Sequence, residues 1–120
     1  MDSFLDAVRG SAASWHESKL FIEHLIAICH DTLHLAVGLA IWLMLAIVMR
    51  RSIADWRPLL GTAVIAVLNE AIDLWVEIWP SVGRQTGEGA RDILATIAVP
   101  ALLFAAVRLS PSLIAVGKRR

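Results

Sequence analysis

This chain has little of what a disulfide-stabilised, nucleotide-hydrolysing or soluble globular protein needs. Its one cysteine, Cys29, rules out an intrachain disulfide and leaves the redox compartment undetermined. It has no P-loop, no lipid-phosphatase or alcohol-phosphotransferase signature, no internal repeat and no low-complexity tract. The N-terminus carries Asp2 and Asp6 where a secretory leader would be basic, and no small-residue cleavage site precedes the first apolar run, so no signal peptide is expected. Polar residues are also scarce. With 58% of its 120 residues hydrophobic, the chain is too apolar for an ordinary soluble domain.

What is present is a set of long hydrophobic runs. A helix crossing the hydrocarbon core needs roughly 20 apolar residues. Residues 27–49, 58–79 and 90–108 each meet that need. The fold expected is all-α: a three-helix integral membrane bundle forming one domain over residues 1–120. Residues 3–17 add an amphipathic helix, with Phe4, Leu5, Val8, Ala12 and Trp15 along one stripe and Asp6, Arg9 and Glu17 turned away. Its expected place is the outer membrane interface, with packing against the bundle or a neighbour as the alternative. Pro58 fits a first helical turn, and Pro100 predicts a local kink because it leaves the Thr96 carbonyl without its usual donor. Residues 80–89, rich in glycine, read as a short loop.

The zero net charge conceals an asymmetry. Arg50, Arg51 and Arg57 crowd the first connection, and Arg108, Lys118, Arg119 and Arg120 the C-terminal end. The positive-inside rule then places those segments in the cytoplasm and the N-terminus outside, as expected of a bacterial inner-membrane protein. No nucleic-acid partner is expected.

Within the spans, ionisable residues are not scattered. Glu23, His30, His34 and Gly38 share a wedge of about 80° on the first span, with Asp31 at its edge. Asn69, Glu70, Asp73 and Glu77 share about 100° on the second. Arg91 and Asp92 open the third. Each Asp at a helix centre costs on the order of 2.5–3.5 kcal/mol to insert. Alternating topology brings all these residues to similar depth, which predicts a polar pocket open toward the outside.

Three chemistries suit such a pocket. In the first, Arg84 and Arg91 hold a phosphate-bearing headgroup, Asn69 orients it, and His34 with Glu70 or Asp73 does acid–base work; His30, Asp31, Glu77 and Asp92 complete the lining. In the second, His30 and His34, four residues apart, ligate a metal with Glu23, Asp73 or Glu77. Without a second His or Cys pair, a His–carboxylate network holding the helices together is the preferred assignment, and no metal or other cofactor is assigned. In the third, the pocket faces another chain and the protein is a non-catalytic accessory subunit. Ala98, Ala101 and Ala105 form a small-residue stripe about 150° around the third span from Asp92. This favours a homo-oligomer or a larger membrane complex, with membrane lipid as the other expected partner.

His30, Asp31 and His34, followed by Glu70, Asp73, Arg84 and Asp92, resemble the D-K-x-x-H, E-x-x-Q, arginine and D-x-x-x-N segments of VanZ-like membrane proteins. Here His30 stands for the family's aspartate, Asp31 for its lysine, Asp73 for its glutamine and Thr96 for its late asparagine. The resemblance spans roughly residues 30–106 and implies an envelope membrane protein without supplying a mechanism. Leu68, Asn69, Ala71, Ile72 and Asp73, with Arg91 and Asp92 downstream, also resemble the L-N-x-A-I-E and K-D motifs of small prokaryotic diacylglycerol kinases. There, Ala66 replaces an expected glutamate and Arg91 a lysine.

Overall fold

A computed structural model describes residues 2–26, 30–76 and 82–113, with the side chains of Asp2, Glu23, Leu25, Ile26, Val82 and Leu113 left aside. Glu77, residues 27–29 and the Glu23 side chain therefore lie outside the described residues. The chain forms α1 (Asp2–Ile26), α2 (His30–Val48), α3 (Trp56–Val76) and α4 (Val82–Leu109), then a single 3-10 turn, Pro111–Leu113. Three of these helices, α2, α3 and most of α4, are long and apolar enough to cross a membrane. The protein is an all-α membrane bundle with an added N-terminal helix.

Two boundaries differ from the sequence reading. α1 does not stop near residue 17 but continues to Ile26. No glycine or proline interrupts it there, and Ser18 returns its hydroxyl to the Ser14 carbonyl at 2.8 Å. Residues 82–89 form the first two turns of α4 rather than a loop. A helical glycine costs about 1 kcal/mol relative to alanine, yet Gly89 is buried in the bundle, where tertiary contact outweighs propensity.

The turn between α2 and α3 is built from local chemistry. The Arg51 N–H reaches the Ala46 carbonyl and the Arg50 N–H that of Ile47, at 2.9 and 3.0 Å, closing α2 as a Schellman motif. Arg50 takes the left-handed position with φ 52°. Asp55 caps α3 by accepting the Arg57 N–H at 3.0 Å. Arg108, near the end of α4, donates to the Ala54 carbonyl of this turn at 3.4 Å. Basic residues thus gather at one end of the bundle.

The core follows helical i, i+4 lines. Gly38, Trp42 and Ala46 are buried on α2, and Pro58, Thr62, Ala66 and Glu70 on α3. On α4 the buried line is Gly89, Thr96, Pro100 and Val107, the alternating 7- and 4-residue spacing of a helix seam. α4 packs against both α2 and α3, while α1 packs on α3. Among the described glycines the tightest approach is at Gly38, where an added Cβ would lie 1.8 Å from the Thr96 carbonyl oxygen. That carbonyl is the one Pro100 leaves without an intrahelical donor.

Candidate functional site

At the end of the bundle opposite the arginine-rich turn, the helices enclose a cavity of about 740 Å³. His30, Asp31 and His34 enter it from α2, Asn69, Glu70 and Asp73 from α3, and Arg91 and Asp92 from α4. These are eight of the ten site residues expected from sequence. Arg84 does not line the cavity, and Glu77 is outside the described residues. Val37, Ile41, Ile65 and Ala66 line the part nearer the bundle middle, and Leu20, Ile22, Leu33, Leu68, Ile72 and Leu74 line it beside the polar residues, so apolar surface runs the length of the cavity while the polar groups gather at one end.

The polar residues sort into two groups. One joins α1 to α3. Lys19 forms an ion pair with Asp73, and His16 Nδ1 lies 3.3 Å from the same carboxylate. Asn69 is the crosspiece. Its carbonyl oxygen accepts from the Trp15 indole at 3.2 Å and from Lys19 at 3.3 Å. Its amide nitrogen donates to Glu70 at 3.2 Å and to Asp73 at 3.5 Å. That division uses the amide in its one consistent orientation, oxygen toward donors and nitrogen toward carboxylates. Glu70 is 6% exposed, and its carboxylate lies 3.2 Å from where a Cβ on Gly89 would stand. Glu70 thus lies against Gly89, between α3 and α4.

The second group joins α2 to α4. The His30 and His34 rings stack obliquely with centroids 4.6 Å apart. Asp92 approaches both, with Oδ1 3.6 Å from His30 Nδ1 and Oδ2 3.7 Å from His34 Nε2. Thr96 sits behind His34, 2.9 Å from Nδ1, and donates its own hydroxyl to the Asp92 carbonyl at 2.8 Å. At the rim, Arg91 pairs with Asp31 and lies 3.9 Å from Glu88.

This arrangement changes the pairings expected from sequence. The carboxylate set against the His34 ring is Asp92, and Asp73 is occupied by Lys19 and His16. Of the two arginines expected to hold a phosphate, Arg91 pairs with Asp31 at the rim and Arg84 is not among the residues lining the cavity. Trp15, His16 and Lys19 were missed as site residues because α1 was read as an interfacial arm. One signal pointed to them: two acids, Glu70 and Asp73, on one wedge of α3 call for a cation, and Lys19 is the nearest lysine or arginine preceding the first span. The cavity remains acidic, with Asp31, Glu70, Asp73, Glu88 and Asp92 against the permanent charges of Lys19 and Arg91. No protein-family model matches the chain, and no match was found among characterised proteins or solved structures.

Proposed function

We propose that this small integral membrane protein binds the polar end of an amphiphile in the cavity, with the acyl portion against the apolar lower wall. The single observation behind this reading is the polarity gradient. His30, His34, Asn69 and Asp73 lie at one end, and Val37, Ile41 and Ile65 toward the bundle middle. A lipid lying along a helix presents the same gradient. The lining selects the headgroup, since its two permanent cations, Lys19 and Arg91, are already paired with Asp73 and Asp31 and the remaining acid groups suit an amine or a hydroxyl-rich head better than a bare phosphate. With the arginine-rich turn in the cytoplasm by the positive-inside rule, the cavity opens to the outside of a bacterial inner membrane. The resemblance to VanZ-like proteins supports the same envelope setting.

The test is mass spectrometry of bound lipid after gentle extraction, comparing wild type with Val37→Trp, which crowds the apolar part of the cavity. Wild type should retain a lipid enriched in amine headgroups, and the variant should lose it while keeping its helical circular dichroism. Equal lipid content in both would reject the cavity as the binding site. Recovery of the wild type only with other proteins seated over the cavity would favour the accessory-subunit reading instead.

A further inference from the structure

We infer that His30, His34 and Asp92 form a binding site for a borderline divalent metal ion such as Zn2+, joining α2 to α4. The inference does not rest on the amphiphile reading. It starts from distance. One ligand atom from each of the three residues lies within 4.8 Å of the others. The two histidine–carboxylate separations, 3.6 and 3.7 Å, are too long for direct N–H···O bonds, which span about 2.7–3.2 Å. Each runs to a different Asp92 oxygen, Oδ1 for His30 and Oδ2 for His34, and each is near the distance between two ligand atoms on one tetrahedral ion, about 3.4 Å for metal–ligand bonds of about 2.1 Å, so a small closure of the three side chains brings them onto one ion.

The tautomer of His34 makes the stronger argument. The Thr96 hydroxyl has one hydrogen. Its contacts to the Asp92 carbonyl and to His34 Nδ1 are both satisfied only if it donates to the carbonyl and accepts from Nδ1. Nδ1 therefore carries the ring proton. Nε2 then faces Asp92 Oδ2 at 3.7 Å, and in the neutral ring it presents its lone pair to the same space as the carboxylate oxygen. A cation placed there would be bonded by both. Thr96 occupies the role that an outer-sphere hydrogen bond plays at many histidine metal sites, fixing the tautomer and ring direction.

Access and chemistry agree. His34 and Asp92 are part-buried while His30 is half-exposed, so an ion enters from the cavity side and keeps positions there for water or a ligand. Two imidazoles and a carboxylate form a set used by zinc and by other first-row ions, and the surrounding acid surplus attracts a divalent cation. The sequence offered only the histidine pair; folding brings the third ligand from a helix about 60 residues away.

The test uses the full chain in detergent, without a polyhistidine tag, at a pH where histidine is neutral. Titration with Zn2+ is followed by calorimetry and with Co2+ by its visible d–d spectrum. One ion per chain should bind and raise the unfolding temperature. His30→Gln, at an exposed position that the fold tolerates, should weaken binding at least as much as Thr96→Val, for which about a 10–100-fold loss is expected. His24→Gln, exposed on α1 and outside the cavity lining, should bind like wild type. Absence of a one-to-one event, or binding that survives His30→Gln and Asp92→Asn, would overturn the site. So would a loss in His24→Gln equal to that in His30→Gln.

Discussion

Asp73 illustrates how a carboxylate is kept inside an apolar helix. It retains 16% of its side-chain exposure and is met by Lys19, His16 and the Asn69 amide. Lys19 is the only permanent cation among these partners, and it comes from a helix outside the three spans. Lys19→Met removes the cation while preserving the aliphatic stem. Removing one partner of a buried pair costs 3–5 kcal/mol. Because Lys19 is 27% exposed and His16 remains, the expected loss is smaller, about 1–2 kcal/mol. Reversible unfolding in mixed micelles would measure it. The double variant Lys19→Met with Asp73→Leu should recover most of the loss, because no charge is then left unpaired. Failure of that recovery would mean the pair does not hold α1 to α3.

Packing between α2 and α4 turns on a backbone contact. Gly38→Ala ordinarily favours a helix by roughly 0.5–1 kcal/mol. Here the new methyl would lie 1.8 Å from the Thr96 oxygen and 2.7 Å from its carbonyl carbon, and backbone atoms cannot rotate away. The helices must separate, and the expected result is a loss of about 1–3 kcal/mol, opposite in sign to the propensity effect. Thr96 also holds His34, so the displacement carries into the metal site. Gly61→Ala is the control. Its new methyl meets the end of the flexible Leu45 side chain at 2.8 Å, so the cost should be smaller. Thermal unfolding of both variants gives the comparison, and a stabilised Gly38→Ala would refute the close approach.

For the molecule as a whole, orientation and association are the open outcomes. Arg50, Arg51, Arg57 and Arg108 gather at one end and the cavity opens at the other. Reporter fusions at Ile53 and Arg120 should therefore give cytoplasmic signals and one at Gln85 an external signal. An external signal from Ile53 would reverse the membership of the cavity from the outer to the inner leaflet. Association is expected through α4, where Ala105 is exposed and Ala98 and Ala101 are partly so. Small residues let a second helix approach closely. Crosslinking in native membranes should trap a species larger than the monomer, and Ala101→Leu should reduce it. Monomer alone, with normal accumulation of Ala101→Leu, would exclude this surface as an interface.

The three spans were legible because hydropathy and length are properties of consecutive residues, and lipid offers few alternatives to a helix once the run is long enough. The gathering of polar residues at one depth was legible for a similar reason. Helical periodicity places His30 with His34, and Asn69 with Glu70 and Asp73, on single faces, and alternating direction matches their heights. Partners were not legible. Whether Asp73 meets His34 or Lys19, and whether His34 meets Asp73 or Asp92, depends on the rotation and spacing of helices about their axes. Those are set by contacts such as Gly38 on the Thr96 carbonyl and Gly89 beside Glu70. Nor did periodicity bring α1 into the site, since an amphipathic helix shows that it has an apolar face but not what that face will cover. The tautomer of His34 belongs to the same class of fact, because it depends on a hydroxyl from another helix that only packing brings within 2.9 Å.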